Sequence, residues 1–248
     1  MNIDTESVIL AALIFIAALL YSSVGHAGAS GYLAAMALMG MSPAVMKPTA
    51  LSLNILVAII ATFKFYRVDA FSWRLFLPLA LAAVPCAYVG GLLTLPTHIY
   101  KPVIGIILLY AAWYSFRTAA KSSQYPVRSV SFPPLLFTGA VLGFLSGLTG
   151  VGGGIFLSPL LLFFRWAEIK TISGVAAAFI LVNSIAGLFG VLSKSPALPS
   201  ALPIWAIVVV IGGFIGAEYG SKRFGNPTIQ KLLALVLVIA GAKMIATA

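Results

Sequence analysis

Ser146-Gly147-Leu148-Thr149-Gly150-Val151-Gly152-Gly153-Gly154-Ile155-Phe156 interrupts an otherwise apolar run with five glycines. Glycine is unfavourable inside a helix and admits positive φ. The stretch therefore predicts a helix that stops and restarts. A restart at Gly152–Gly154 leaves backbone N–H groups at a helix N-terminus with no side chain in front of them. Such an end attracts anions through its free donors and its dipole. Non-helical backbone at membrane depth survives only when it is buried in protein or lines a polar cavity. The alternative is close helix packing, which small residues also permit. Packing calls for spaced rather than consecutive glycines, so the break is read as a binding site.

The chain around it has 248 residues, 61% hydrophobic and 8% charged, with a mean hydropathy of +1.10. That composition is that of a polytopic membrane protein. The net charge of +10 is not a nucleic-acid patch, because the Lys and Arg lie in short stretches between apolar runs. One cysteine, Cys86, excludes an intrachain disulfide. Asp4 and Glu6 precede the first apolar run without any Lys or Arg, which is the wrong start for a cleaved signal peptide. Apolar runs fall at about 8–24, 28–41, 45–63, 75–95, 102–116, 134–148, 153–164, 172–192, 202–220 and 229–247. Helices are the expected form, since the runs lack the alternation of barrel strands.

The two halves repeat. Tyr21-Ser22-Ser23-Val24-Gly25-His26-Ala27-Gly28-Ala29-Ser30-Gly31-Tyr32 aligns with the stretch from Leu145 to Phe156 at an offset of 124 (146 − 22). Asn54 then falls on Asn183. The fold expected is an all-α polytopic membrane protein of two inverted repeats. Each repeat is a glycine-broken, re-entrant segment plus three transmembrane helices. The first repeat covers 1–120, a polar linker 121–131, and the second repeat 132–248.

Charge sets the topology. If each broken segment enters and leaves on one face, Lys64, Arg67, Arg74, Arg117, Lys121, Arg128, Arg165, Lys170, Lys222, Arg223 and Lys231 share a side. Only Lys47, Lys101, Lys194 and Lys243 then lie opposite, with Asp4 and Glu6. This bias obeys the positive-inside rule and puts both termini outside. If each segment crossed the bilayer, the split would be eight against seven and would orient nothing.

Candidate site residues cluster at the breaks: Gly25, His26, Gly28, Ala29, Ser30, Thr149, Gly150, Gly152, Gly153 and Gly154. Thr49, Asn54 and Asn183 join them from neighbouring runs. A buried amide must find a partner, so each Asn either meets substrate or supports the broken backbone. His26 either carries a proton or pairs with an anion, or it is a structural imidazole held by a carbonyl. Glu218 is expected to pair with Lys222 one turn on. Lys47 and Pro48 are read as a helix start. Trp73, Trp113, Trp166 and Trp205 are read as interface anchors. No carboxylate pair, metal cluster or nucleophile elbow is present, which argues against an enzyme. The chain calls for no cofactor and no metal.

The stretch from Gly147 to Pro159, the first-half break and Gly174-Val175-Ala176-Ala177-Ala178-Phe179-Ile180-Leu181-Val182-Asn183 resemble the sulfite exporter TauE/SafE family over essentially the whole chain. The first half departs from its pattern with Gly28-Ala29-Ser30 in place of three glycines. The resemblance implies an inner-membrane transporter of small sulfur-containing anions such as sulfite, sulfoacetate or another organosulfonate. Its partners would be that anion and the lipid bilayer. The chain has no ATP-binding motif, so a gradient, with the proton as candidate coupling ion, or a partner would supply energy. A passive anion channel is the alternative.

Overall fold

The computed structural model describes residues 5–118, 126–194, 198–222 and 227–246. Residues 121–125 of the expected linker lie outside the described residues. Ten helices follow one another: α1 (Thr5–Ser22), α2 (Ala29–Leu38), α3 (Pro43–Tyr66), α4 (Trp73–Leu92), α5 (Thr97–Thr118), α6 (Phe132–Thr149), α7 (Gly154–Phe163), α8 (Ile169–Leu192), α9 (Leu202–Lys222) and α10 (Pro227–Ala246). Among the described residues, α3, α4, α6, α8 and the Leu202–Ser221 part of α9 are long and apolar enough to cross a membrane. The protein is an all-helical, multi-pass membrane protein.

Helix directions follow from which residues meet. On α4 and α6, Leu79, Ala83 and Ala87 face Gly139, Gly143 and Gly147 in step, so these helices run parallel. On α1 and α9, Phe15, Leu19 and Ser23 face Gly212, Gly216 and Gly220, again in parallel. A methyl group at Gly143 would lie 2.6 Å from the Cα of Ala83, and one at Gly212 would lie 2.8 Å from the carbonyl oxygen of Phe15. Glycine every fourth residue makes a flat stripe, and two backbones close onto it. The two stripes join each half's first helix to the other half's fourth.

Counterpart helices run opposite ways. Leu51 meets Gly187, Asn54 meets Ser184 and Phe65 meets Gly174, so α3 and α8 are antiparallel. Gly105 meets Ile245 and Leu109 meets Gly241, so α5 and α10 are antiparallel too. Ten helices alternating in direction, five to a half, give this result: a shift by an odd number of helices reverses the direction.

The α6–α7 pair is a hairpin with both ends at one end of the bundle. Arg128 N–H, before α6, donates to Arg165 C=O, after α7, at 2.8 Å. Its legs are unequal. The 18-residue α6 is about 27 Å long and the 10-residue α7 about 15 Å. α6 is thus longer than expected of a re-entrant leg, and only α7 is short.

Several expectations shift. Pro43, not Pro48, occupies the first turn of α3, and Pro48 sits inside the helix. Glu218 pairs with Lys64 of α3, whose ammonium also lies 4.1 Å from the Phe214 ring centre. The side chain of Lys222 lies outside the described residues. Trp73 and Trp113 are exposed, but Trp205 is buried in the core and is no interface anchor.

Gly143→Ala tests the stripe. The added methyl meets backbone, which cannot rotate aside, so unfolding in detergent should be easier by about 1–3 kcal/mol, read as a lowered melting temperature.

Candidate functional site at the second break

α6 ends on Gly150, at φ 81°. The chain turns through Gly152, at φ 82°, and Gly153, at φ 79°, and α7 begins at Gly154. These left-handed conformations are why glycine is required here. Gly153 occupies the N-cap position and no side chain caps α7. The first break matches this geometry: Gly25 has φ 78° and Gly28, the N-cap of α2, has φ 110°. Positive φ pairs Gly25 with Gly150 and Gly28 with Gly153, an offset of 125 (150 − 25). This corrects the offset of 124: identity matching had followed side chains, whereas the turn is set by backbone angles.

Three helices, α3, α6 and α8, converge on the second break. From α8, the amide Nδ2 of Asn183 lies 3.5 Å from where a methyl at Gly153 would stand. From α6, the Cβ of Ser146 lies 3.3 Å from the same point; Cε1 of Phe179, also on α8, lies 2.9 Å away. From α3, the amide of Asn54 closes on Gly152 and donates to Ser184 Oγ at 3.3 Å. Asn54, Ser146 and Asn183 are each 0% exposed. Ser146 Oγ, Asn54 Oδ1 and both polar side-chain atoms of Asn183 have no hydrogen-bond partner. Buried polar groups in proteins are nearly always satisfied, and leaving one unpaired costs about 1–3 kcal/mol. Several such atoms surround one uncapped helix start, which makes this the candidate site.

The other candidates take different places. Thr149 is structural: its hydroxyl donates to Leu145 C=O at 2.6 Å, and its carbonyl accepts from Tyr100 Oη at 2.9 Å. Thr49 is fully buried on α3 and its hydroxyl has no partner. Ala29 and Ser30 open α2 and are buried. His26 joins the two breaks. Its Nε2 lies 3.2 Å from Gly154 C=O and 3.2 Å from Ser158 Oγ, and its Nδ1 lies 3.3 Å from Val24 C=O.

The breaks differ in what stands over them. Tyr32 folds back across the first, donating from its hydroxyl to Ala27 C=O at 2.6 Å, and a methyl at Gly28 would lie 2.6 Å from that hydroxyl. At the offset of 125, the second break has Leu157 in place of Tyr32.

Sequence reasoning missed Lys47. This buried lysine donates to Gly90, Gly91 and Leu93 carbonyls at 3.3, 3.3 and 2.9 Å, closing the C-terminal end of α4. Its side-chain stem packs 3.1 Å from where a methyl at Gly150 would stand. The available signal was a lysine beside Pro48 in an apolar run. Ser184, Ser158 and Tyr32 were also missed; a serine adjacent to Asn183 carries no pattern of its own.

The family model for the sulfite exporter TauE/SafE matches residues 10–244. The chain belongs to the sulfite exporter TauE/SafE family. A protein of Sinorhizobium fredii named a probable membrane transporter is 43% identical over 98% of this chain and 99% of its own length. TauE/SafE membership is accompanied by more distant likenesses to two other proteins so named. One, from Methanocaldococcus jannaschii, is 25% identical over 79% of this chain and 77% of its own length. The other, from Bacillus subtilis, is 26% identical over 89% and 92%. No solved structure matches the chain at a significant level. The protein is a TauE/SafE-family membrane transporter.

Asn183→Leu should leave the melting temperature unchanged or raise it, because it replaces two unpaired buried polar atoms with an apolar group of similar size. Gly153→Ala should lower it, since the methyl meets Phe179 at 2.9 Å in a left-handed backbone. Melts of the two purified variants, side by side, check both signs.

Proposed function

We propose that this TauE/SafE protein carries small sulfur-containing oxyanions across the cell's inner membrane by gradient-driven alternating access. The observation that carries the reading is the uncapped start of α7 ringed by buried, unpartnered polar atoms of Asn183, Ser146 and Asn54. The α7 dipole and its free N–H groups present partial positive charge. Neutral donors suit a carrier, since a buried Lys or Arg would hold an anion harder and cost more to bury. Asn54, Ser146 and Asn183 are sealed from solvent, so substrate reaches them only when neighbouring elements move. His26 reaches α7 from the first break, which also holds Gly25, Gly28, Ala29 and Ser30; Thr49 is buried on α3, and Thr149, Gly150, Gly152, Gly153 and Gly154 form the turn itself.

Inverted repeats complete the reading. The opposed directions of α3 and α8, and of α5 and α10, support an axis lying in the membrane plane. The α6–α7 hairpin returns to the end that carries Arg67, Arg74 and Arg165, which the positive-inside rule makes cytoplasmic. The ends of α2 and α10 meet at the opposite end, where Lys243 Nζ donates to Leu38 C=O. Both termini are therefore assigned to the outside.

Counterflow in proteoliposomes tests the activity. Labelled sulfite or sulfonate should accumulate transiently against unlabelled substrate and saturate; a flux linear in concentration would mean a channel. For topology, cysteines introduced near Lys101 and Lys194 should label from outside while those near Arg67 and Arg165 should not. Labelling at Arg165 and Lys101 from one face would end the inverted arrangement.

A further inference from the structure

We infer that the second break selects singly charged oxyanions that also carry a hydrogen-bond donor, with Asn183 as the residue that sets this preference. The inference rests on the anion-carrier reading above and specifies the substrate class of that same site. Three observations support it.

The first is charge. The groups converging on Gly153 are an amide, a hydroxyl, an aromatic edge and helix N–H groups, all neutral. Two titratable groups stand nearby: Lys47 spends its ammonium on three carbonyls at the C-terminal end of α4, and the His26 ring is held by Val24 C=O, Gly154 C=O and Ser158 Oγ. What remains is the α7 start, equivalent to roughly half a positive charge. The cost of taking an ion out of water rises with the square of its charge, and without a counter-charge it is prohibitive. A monoanion can be held by such a site, whereas a dianion forfeits far more hydration than half a charge returns.

The second is the presence of acceptors. An anion alone needs only donors. Here, however, Asn54 Oδ1 and Asn183 Oδ1 are also buried without partners. An amide oxygen cannot be satisfied by another acceptor. Turning the Asn183 amide over changes nothing, because its oxygen and its nitrogen are both free. A guest that fills the site must therefore give a hydrogen bond as well as receive several. Hydrogensulfite and hydroxyalkylsulfonates do both. Sulfate and unsubstituted sulfonates do not.

The third is the one-sidedness of the site. Tyr32 fills the space at Gly28, the start of α2, and its hydroxyl is spent on Ala27 C=O. In front of Gly153 stand instead Ser146 and Asn183, whose polar side-chain atoms have no partner, so the guest is assigned to the second break, with Asn183 the amide nearest Gly153.

The test uses the purified full-length protein and three probes: 2-hydroxyethanesulfonate, methanesulfonate and sulfate. Calorimetry should rank them in that order, with the hydroxyl adding about tenfold or more in affinity over methanesulfonate. In Asn183→Leu, whose fold is checked by its melt, the advantage of the hydroxyl should shrink toward unity. Sulfite binding should weaken as pH rises through the range in which hydrogensulfite loses its proton. Equal affinities for the two sulfonates, sulfate binding as tightly as either, or an undiminished ratio in Asn183→Leu would overturn the inference and leave the anion carrier standing. Failure of all three probes and of sulfite to bind would remove the carrier reading and this inference together.

Discussion

Hydrocarbon offers no water to a backbone whose helix has stopped, and that constraint governs this protein. Between Thr149 and Gly154 the chain leaves its helix in the interior of the bundle, where irregular backbone must be buried in protein or line a polar cavity. The response is local and specific. Thr149 bonds back onto α6, Tyr100 from α5 takes its carbonyl, and α3, α6 and α8 close around the turn. The glycine stripes that draw α4 onto α6, and α9 onto α1, bring the helices near enough to do this. The long-range packing thus serves a short irregular segment.

The duplicated plan does not produce duplicated chemistry. Both breaks use left-handed glycines at matched positions, Gly25 with Gly150 and Gly28 with Gly153. Beyond the backbone they part. The first is filled by its own Tyr32 and tied by His26 to the second; the second keeps free donors and acceptors. Lys47 follows the same division: it lies against Gly150, whereas the small Ser173 lies against Gly25.

Much of the fold was legible because the bilayer simplifies the code. Uninterrupted apolar runs gave ten helices close to their observed limits, and consecutive glycines gave both breaks. Pairwise partners were not legible. Glu218 had a cation four residues on, yet Lys64 from another helix reaches it, since burial brings together residues far apart in sequence. The stripes at Gly139, Gly143 and Gly147 and at Gly212, Gly216 and Gly220 were readable as repeating fourth-residue glycines, but the consecutive glycines nearby dominated the reading. The register of the repeat slipped by one because φ is invisible in side-chain identity. At the site, Asn183, Asn54 and the glycines stood out as polar or flexible residues in apolar runs. Their lack of partners could come only from three-dimensional packing.

His26 supplies the remaining link between the two halves. Its ring touches the first turn of α7 at Gly154 C=O and Ser158 while its own backbone belongs to the turn after α1. The α6–α7 hairpin opens toward one end of the bundle. The α1–α2 hairpin, by the opposed directions of the halves, opens toward the other. A contact between the tips of two oppositely facing hairpins cannot be kept unchanged if one hairpin moves alone. Such a contact makes the position of each hairpin depend on the other. It also lies on α7 beside Gly153 and Gly154, so the proposed carrier reading places its anion and the link between the two hairpins on the same few atoms.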